Sequence, residues 1–231
     1  MTDGPIRVIR HGRRARWLHG LNALALTILI PTGLAMGERL PATWVHDLGG
    51  HAFLATAHQH LGLVLTVALL LAVLIWFGKT IKLLQELTHY PLRDLTWPGR
   101  FLRHLLQPAR YPAPDHAARL DPGQRLVIAG LLLTLVLASA SGVWLWFSPE
   151  APRWVFAAIV RTHIYSTWTL LGMLGLHILA GLGLLPTHRG IWRSMFGNGS
   201  VPLATARRLW PGWTRRQLES AQESDADKPP R

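Results

Sequence analysis

The chain contains no cysteine. Disulfides, thiolate-held clusters and covalent haem attachment through Cys-x-x-Cys-His are therefore excluded. Carboxylates are scarce as well, with 12 Asp and Glu against 24 Lys and Arg in 231 residues. Charge of either sign is sparse, at 16% of residues, where a soluble domain carries about 25%. The net charge of +12 by itself suggests a nucleic-acid binder. An apolar fraction of 49% and a mean hydropathy of +0.21 argue against that reading. So little charge, mostly of one sign, suits a polytopic membrane protein with its charges in loops on one side. Proline is nearly missing from the long apolar runs; of sixteen, only Pro31 lies well inside one.

Four stretches without Asp, Glu, Lys or Arg remain, at about 17–36, 57–77, 126–147 and 163–185. Each has the roughly 20 apolar residues that a helix needs to span a bilayer. Trp17, Trp76, Trp144, Trp146 and Trp192 lie near their ends, as in an interfacial aromatic belt. The flanking charge sets an orientation. Arm, long loop and tail carry 21 Lys and Arg, whereas the two remaining loops share three, Arg39, Arg153 and Arg161. Both termini are expected in the cytoplasm, in a bacterial inner membrane. The first span exceeds the apolar core of a cleavable signal peptide, about 7–15 residues, and is expected to stay. The expected organisation is a basic arm over 1–16, a membrane domain over 17–185 and a tail over 186–231, its last dozen residues disordered. The loop 78–125 is expected to hold a short amphipathic helix near 101–107. No internal repeat of the kind that builds inverted transporters is evident.

Five histidines lie in or at the edge of spans: His19, His58, His60, His163 and His177. Polar groups there face the bundle interior and tend to be functional. His163 and His177 are fourteen residues apart, about 40° short of four helical turns and ~21 Å along the axis. One helix therefore offers two imidazoles on one face, at two depths. The expected topology supplies partners at each depth, His19 with His177 on the inner side and His58 with His163 on the outer. Two bis-His haems fit this pattern, and such haems carry electrons with no open iron position. Gly62, one turn after His58, and Gly33, on the face of His19, would let a helix backbone approach a porphyrin. His60 competes with His58, and only one of the two can face a haem; Gly62 shares the face of His58. The expected fold is an all-α membrane protein, a four-transmembrane-helix bundle holding two b haems, with a cytoplasmic loop and C-terminal tail.

The turn Asp121-Pro122-Gly123-Gln124-Arg125 opens the third span. Its free N–H groups and the Gln124 amide could hydrogen-bond a quinone carbonyl, with Asp121 passing protons. From the pattern alone the plainer reading is an N-capping turn, with Asp121 as cap and Pro122 at N1.

These residues carry a resemblance. Arg16-x-x-His19 with Gly33, His58-x-x-x-Gly62, Gly123-Gln124 opening a span closed by Ser141-Gly142, His163 with His177, and the tail Arg207-Arg208-Leu209-Trp210-Pro211-Gly212-Trp213 resemble the gamma subunit of membrane-bound formate dehydrogenase, a di-haem cytochrome b. The resemblance covers about residues 13–220. It implies iron ligation by His19, His58, His163 and His177, and a quinone site at Asp121, Gly123 and Gln124, for menaquinone or ubiquinone. It implies electron delivery from an iron–sulfur beta subunit, fed by a catalytic alpha subunit holding molybdenum or tungsten. This chain would then have no formate-oxidising site, and its other contacts would be membrane lipid, not nucleic acid. Two positions depart from the family. Asp121 stands where Asn is frequent, and Thr167 where Gly follows the outer histidine. Cytochrome b subunits of nickel–iron hydrogenase or thiosulfate reductase share the paired-haem plan, as would a stand-alone di-haem cytochrome. A transporter or anchor with structural histidines belongs to a different class.

Overall fold

A computed structural model describes residues 6–112, 114, 116, 118–184 and 188–226. In chain order the elements are β1 (Arg7–Ile9), α1 (Arg13–Met36), α2 (Ala42–Asp47), α3 (Gly50–Ile75) and α4 (Phe77–Thr88). After a 3₁₀ turn at Leu92–Thr96 come α5 (Trp97–Leu106), α6 (Pro122–Phe147) and α7 (Arg153–Gly181). The chain closes with α8 (Arg193–Phe196), β2 (Ser200–Pro202), α9 (Leu203–Leu209) and α10 (Pro211–Ala226).

Helices α1, α3, α6 and α7 are long and apolar enough to cross a membrane. Only 6% to 17% of residues in their most apolar stretches are buried. Leu24, Val64, Val136 and Leu176 lie exposed among them. Helices that are apolar on all sides and still expose those sides need lipid around them.

The helices outrun the charge-free windows of the sequence. Helix α3 begins at Gly50 and α7 at Arg153, well before residues 57 and 163. A charge-free window marks what needs lipid, whereas a helix continues beyond it. Long basic side chains such as Arg153 and Arg161 are tolerated there because they reach toward water. The loop between the second and third spans holds α4 as well as α5. Helix α5 starts at Trp97, with Pro98 in its first turn, where a missing N–H costs nothing. In the tail α10 runs to Ala226, and 227–231, the end of the stretch expected to be disordered, lie outside the described residues. Its polar sequence is made of fair helix formers, which need no core to continue a helix already begun.

The chain forms two compact units. One comprises the described parts of 1–16, 82–129 and 175–231. Here β1 and β2 pair antiparallel, with Val8 opposite Val201. So short a ribbon is not stable alone. It is held by a core of Ile191, Val201, Ala206, Trp210 and Trp213, with Val8 and Leu209 packed against it. Gly199 enters β2 with φ +88°, and a Cβ there would stand 2.4 Å from the His11 carbonyl oxygen. Only glycine fits. The Arg10 guanidinium lies 4.0 Å and 4.6 Å from the Trp210 and Trp213 ring centres and donates to the Arg119 carbonyl at 2.7 Å. Burial, with Arg119 adding to it, lowers the Arg10 pKa from the usual guanidinium range to about 9. The group is still cationic at neutral pH and stacks on two indole faces. Nearby, Arg125 pairs with Asp94 and donates to the His89 carbonyl; the pair is almost wholly buried.

His188, also buried, rests edge-on to Phe101 at 6.5 Å. Burial first, then Arg208 and His104, lower its pKa from 6.5 to about 4. Because the folded state resists protonation, the unfolded chain binds the extra proton between these values, and acid favours unfolding. Thermal stability is expected to fall as pH drops from 6.5 toward 4. His188→Phe should flatten that limb in melts followed by circular dichroism. An unchanged slope would contradict this account of His188.

The second unit comprises 17–81 and 130–174 and holds most of the four spans. At one end α2 folds back onto its neighbours, where Ala35, Val45 and Leu54 form a small core with Leu40.

Candidate functional site

Within the second unit, His58 on α3 and His163 on α7 face each other. Their ring centres are 6.2 Å apart, with planes at 85°. Neutral imidazole is a common metal ligand, and two rings so placed could together hold a metal-centred group.

The surroundings of the two rings match. His58 Nδ1 lies 3.1 Å from the Leu29 carbonyl oxygen and 3.0 Å from Thr32 Oγ1. His163 Nδ1 lies 3.0 Å from the Ala138 carbonyl oxygen and 3.1 Å from Ser141 Oγ. A carbonyl only accepts, so each Nδ1 carries the proton and donates. Each hydroxyl gives its own hydrogen to its helix, Thr32 to Ile28 at 2.8 Å and Ser141 to Leu137 at 2.6 Å. Its lone pairs are left for the imidazole. In a neutral ring the tautomer so assigned leaves Nε2 unprotonated, the form that ligates a metal.

Glycine completes each frame. A Cβ on Gly33 would come 3.0 Å from His58 Cε1, and one on Gly142 would come 3.2 Å from His163 Cε1. Both glycines therefore make room for an imidazole. A Cβ on Gly62 would meet Leu29 at 3.9 Å, an ordinary contact, so the close approach at His58 is made by Gly33. The sequence holds the signal in plain view. Leu29-x-x-Thr32-Gly33 and Ala138-x-x-Ser141-Gly142 are one short pattern used twice. It escapes a search for long repeats.

His60 is placed otherwise. It is exposed, its Nδ1 pairs with the Thr56 carbonyl of its own helix at 2.8 Å, and its ring meets Trp146 edge-on at 5.1 Å. His19, half-buried, stands in the second turn of α1, and His177, half-buried, in the last turns of α7.

The Asp121 turn lies in the first unit. Asp121 Oδ1 accepts the Gln124 backbone N–H at 2.8 Å, so the side chain caps α6. Burial pushes its carboxyl above the usual range, opposed by the Gln124 and Gly123 amides, His116 and Arg125. A Cβ on Gly123 would come 2.8 Å from the Trp97 ring. Gln124 Oε1 accepts the Trp210 indole N–H at 3.3 Å. The three residues thus meet at one helix end, under Trp97 and beside Trp210. Neither indole was singled out with this turn in the sequence.

Four lipid-exposed helices around a framed pair of imidazoles define a multi-pass membrane protein of the b-cytochrome class. The family model of prokaryotic cytochrome b561 matches residues 10–198, most of the chain. The protein belongs to that family, whose members bind b haem and work in electron transfer. No curated protein matches it.

Proposed function

We propose that the chain is the cytochrome b subunit of a respiratory formate dehydrogenase. It would pass electrons from a periplasmic iron–sulfur beta subunit, served by a molybdenum or tungsten alpha subunit, to a quinone reduced near the cytoplasmic side. The observation that carries the haem part is the pair His58 and His163, ring centres 6.2 Å apart, with each Nδ1 in hydrogen-bond reach of a carbonyl and a hydroxyl, which leaves each Nε2 as the ligating nitrogen of a neutral ring. These residues would hold the outer haem. His60 spends its Nδ1 on its own helix, which favours His58. His19 and His177 would hold the inner haem on the strength of their matched depth in the topology expected from the Lys and Arg distribution. Haem b supplies one-electron carriage, and with two histidine ligands its iron has no open position.

Gln124 would offer amide N–H donors to a quinone carbonyl while Trp210 holds its oxygen. Asp121, with its carboxyl pushed upward by burial, would be a local proton donor. Gly123 would keep the turn close under Trp97. The orientation rests on the Lys and Arg distribution and puts both termini in the cytoplasm. The beta-subunit partnership rests on the family resemblance and on the lack of cysteine for clusters.

Two b haems per chain are expected in a pyridine haemochrome assay of the purified complex, with iron–sulfur and molybdenum- or tungsten-containing subunits co-purifying. A folded, haem-free chain would refute the reading. A nickel–iron partner in the same preparation would move the chain to a hydrogenase. With both haems retained, Gln124→Ala should slow formate-driven quinol formation on the order of tenfold, an effect typical of one lost polar contact. Unchanged turnover and quinone KM would return the turn to capping alone.

A further inference from the structure

We infer that Thr32 and Ser141 are the positioning residues of the outer haem: each hydroxyl holds one ligand imidazole through Nδ1–H and sets how strongly its Nε2 donates to iron. The inference rests on the reading of His58 and His163 as ligands, and goes beyond it.

Both hydroxyls are out of place as ordinary span residues. Thr32 is 6% exposed and Ser141 5%, in helices whose side chains are mostly exposed. The polar groups around them form one consistent set, in which each hydroxyl lies nearest the carbonyl four residues back and at 3.1 Å from the one three back. The hydroxyl hydrogen goes to the carbonyl four residues back, on Ile28 or Leu137. The hydroxyl oxygen receives the imidazole N–H. The carbonyl three residues back, on Leu29 or Ala138, receives the same N–H. The next residue is glycine, where a Cβ would stand only 3.0 Å or 3.2 Å from the ring, close enough to press on it. The same four-part frame of carbonyl, hydroxyl, glycine and imidazole occurs on α1 with α3 and on α6 with α7. Two chance hydrogen bonds would not share donor, acceptor, sequence offset and glycine.

The frame has an electronic consequence. An acceptor on Nδ1–H gives the ring more imidazolate character and makes Nε2 the stronger donor. Stronger donation favours ferric over ferrous iron and lowers the potential. The hydroxyls add a second acceptor to each N–H beyond the carbonyl. Their loss should therefore raise the potential while the carbonyls keep the rings in place.

The test uses the full chain in its complex, with the outer haem identified as the one missing from His163→Ala. In Thr32→Val with Ser141→Ala, the outer haem's ferrous-to-ferric ratio at fixed ambient potential should rise about tenfold, a shift of about 59 mV for one electron. Its ferric EPR g-values should move with it, and the inner haem should not change. Thr32→Ser with Ser141→Thr, which keeps both hydroxyls, should restore the wild-type potential. An unchanged potential and unchanged g-values in the hydroxyl-free double variant would overturn the inference. Loss of the outer haem from that variant would support it if the hydroxyl-retaining variant keeps its haem, and would overturn it if both lose haem, because packing would then be the cause. A wild-type chain without two haems would overturn the functional reading itself, and this inference with it.

Discussion

His163→Ala is expected to leave one b haem per chain in place of two. His163 supplies one of two opposed imidazoles whose ring centres are 6.2 Å apart, and nothing else on its face of α7 at that depth can replace it. Ser166 and Thr167 donate their hydroxyls back to the His163 carbonyl, and hydroxyls are poor ligands for haem iron beside imidazole. The reduced-minus-oxidised spectrum should lose about half its b-type absorbance, and quinol formation driven from the iron–sulfur side should stop. His58→Ala should give the same result from the opposite helix. His60→Ala should leave both haems, since His60 is exposed and turned to Thr56 and Trp146. The reverse outcome, with His60→Ala removing a haem and His58→Ala keeping two, would reject this assignment of ligands.

Asp94→Ala is expected to destabilise the protein by about 3–5 kcal/mol, because it strands a buried cation. The side chains of Arg125 and Asp94 are only 3% and 8% exposed. Arg125 also donates to the His89 carbonyl and lies 4.7 Å from the Tyr90 ring centre. Neither contact neutralises its charge. Adding Arg125→Met to Asp94→Ala should recover most of the loss, because an apolar side chain of similar length needs no counter-ion. Unfolding of the two variants in the same detergent, followed by tryptophan fluorescence, measures the difference. A loss under about 1 kcal/mol for Asp94→Ala would mean that water reaches Arg125, as at a surface pair.

The four spans were legible because lipid is a local requirement. A run such as 126–147 announces itself by composition, whatever it packs against. Helix ends were less legible. Arg153 and Arg161 lie inside α7, and a rule based on missing charge stops before them. The small sheet of β1 and β2 was not legible at all. Its strands are three residues each and nearly two hundred residues apart. They are held by the Trp210 and Trp213 core, which is a long-range fact. The Asp121 turn was readable as a cap or as a ligand site. The structure supplies the cap bond to Gln124 and adds Trp97 and Trp210, whose approach no local pattern encodes.

The sequence by itself determined a multi-pass helical membrane protein, its set of span histidines and the absence of any thiolate chemistry. These follow from side-chain solubility and from which ligand types the chain contains, and they need no knowledge of packing. Only the tertiary structure decided that His58 and not His60 meets His163, that Gly33 and Gly142 make room for imidazoles, and that Thr32 and Ser141 hold the two Nδ1 protons. Those facts depend on how each helix is rotated and how far it slides against its neighbour. A rotation of half a turn would exchange His58 for His60 without altering a single hydropathy value. Rotation and slide are set by the packing of many side chains at once, so the ligand frame becomes visible only when the helices are together.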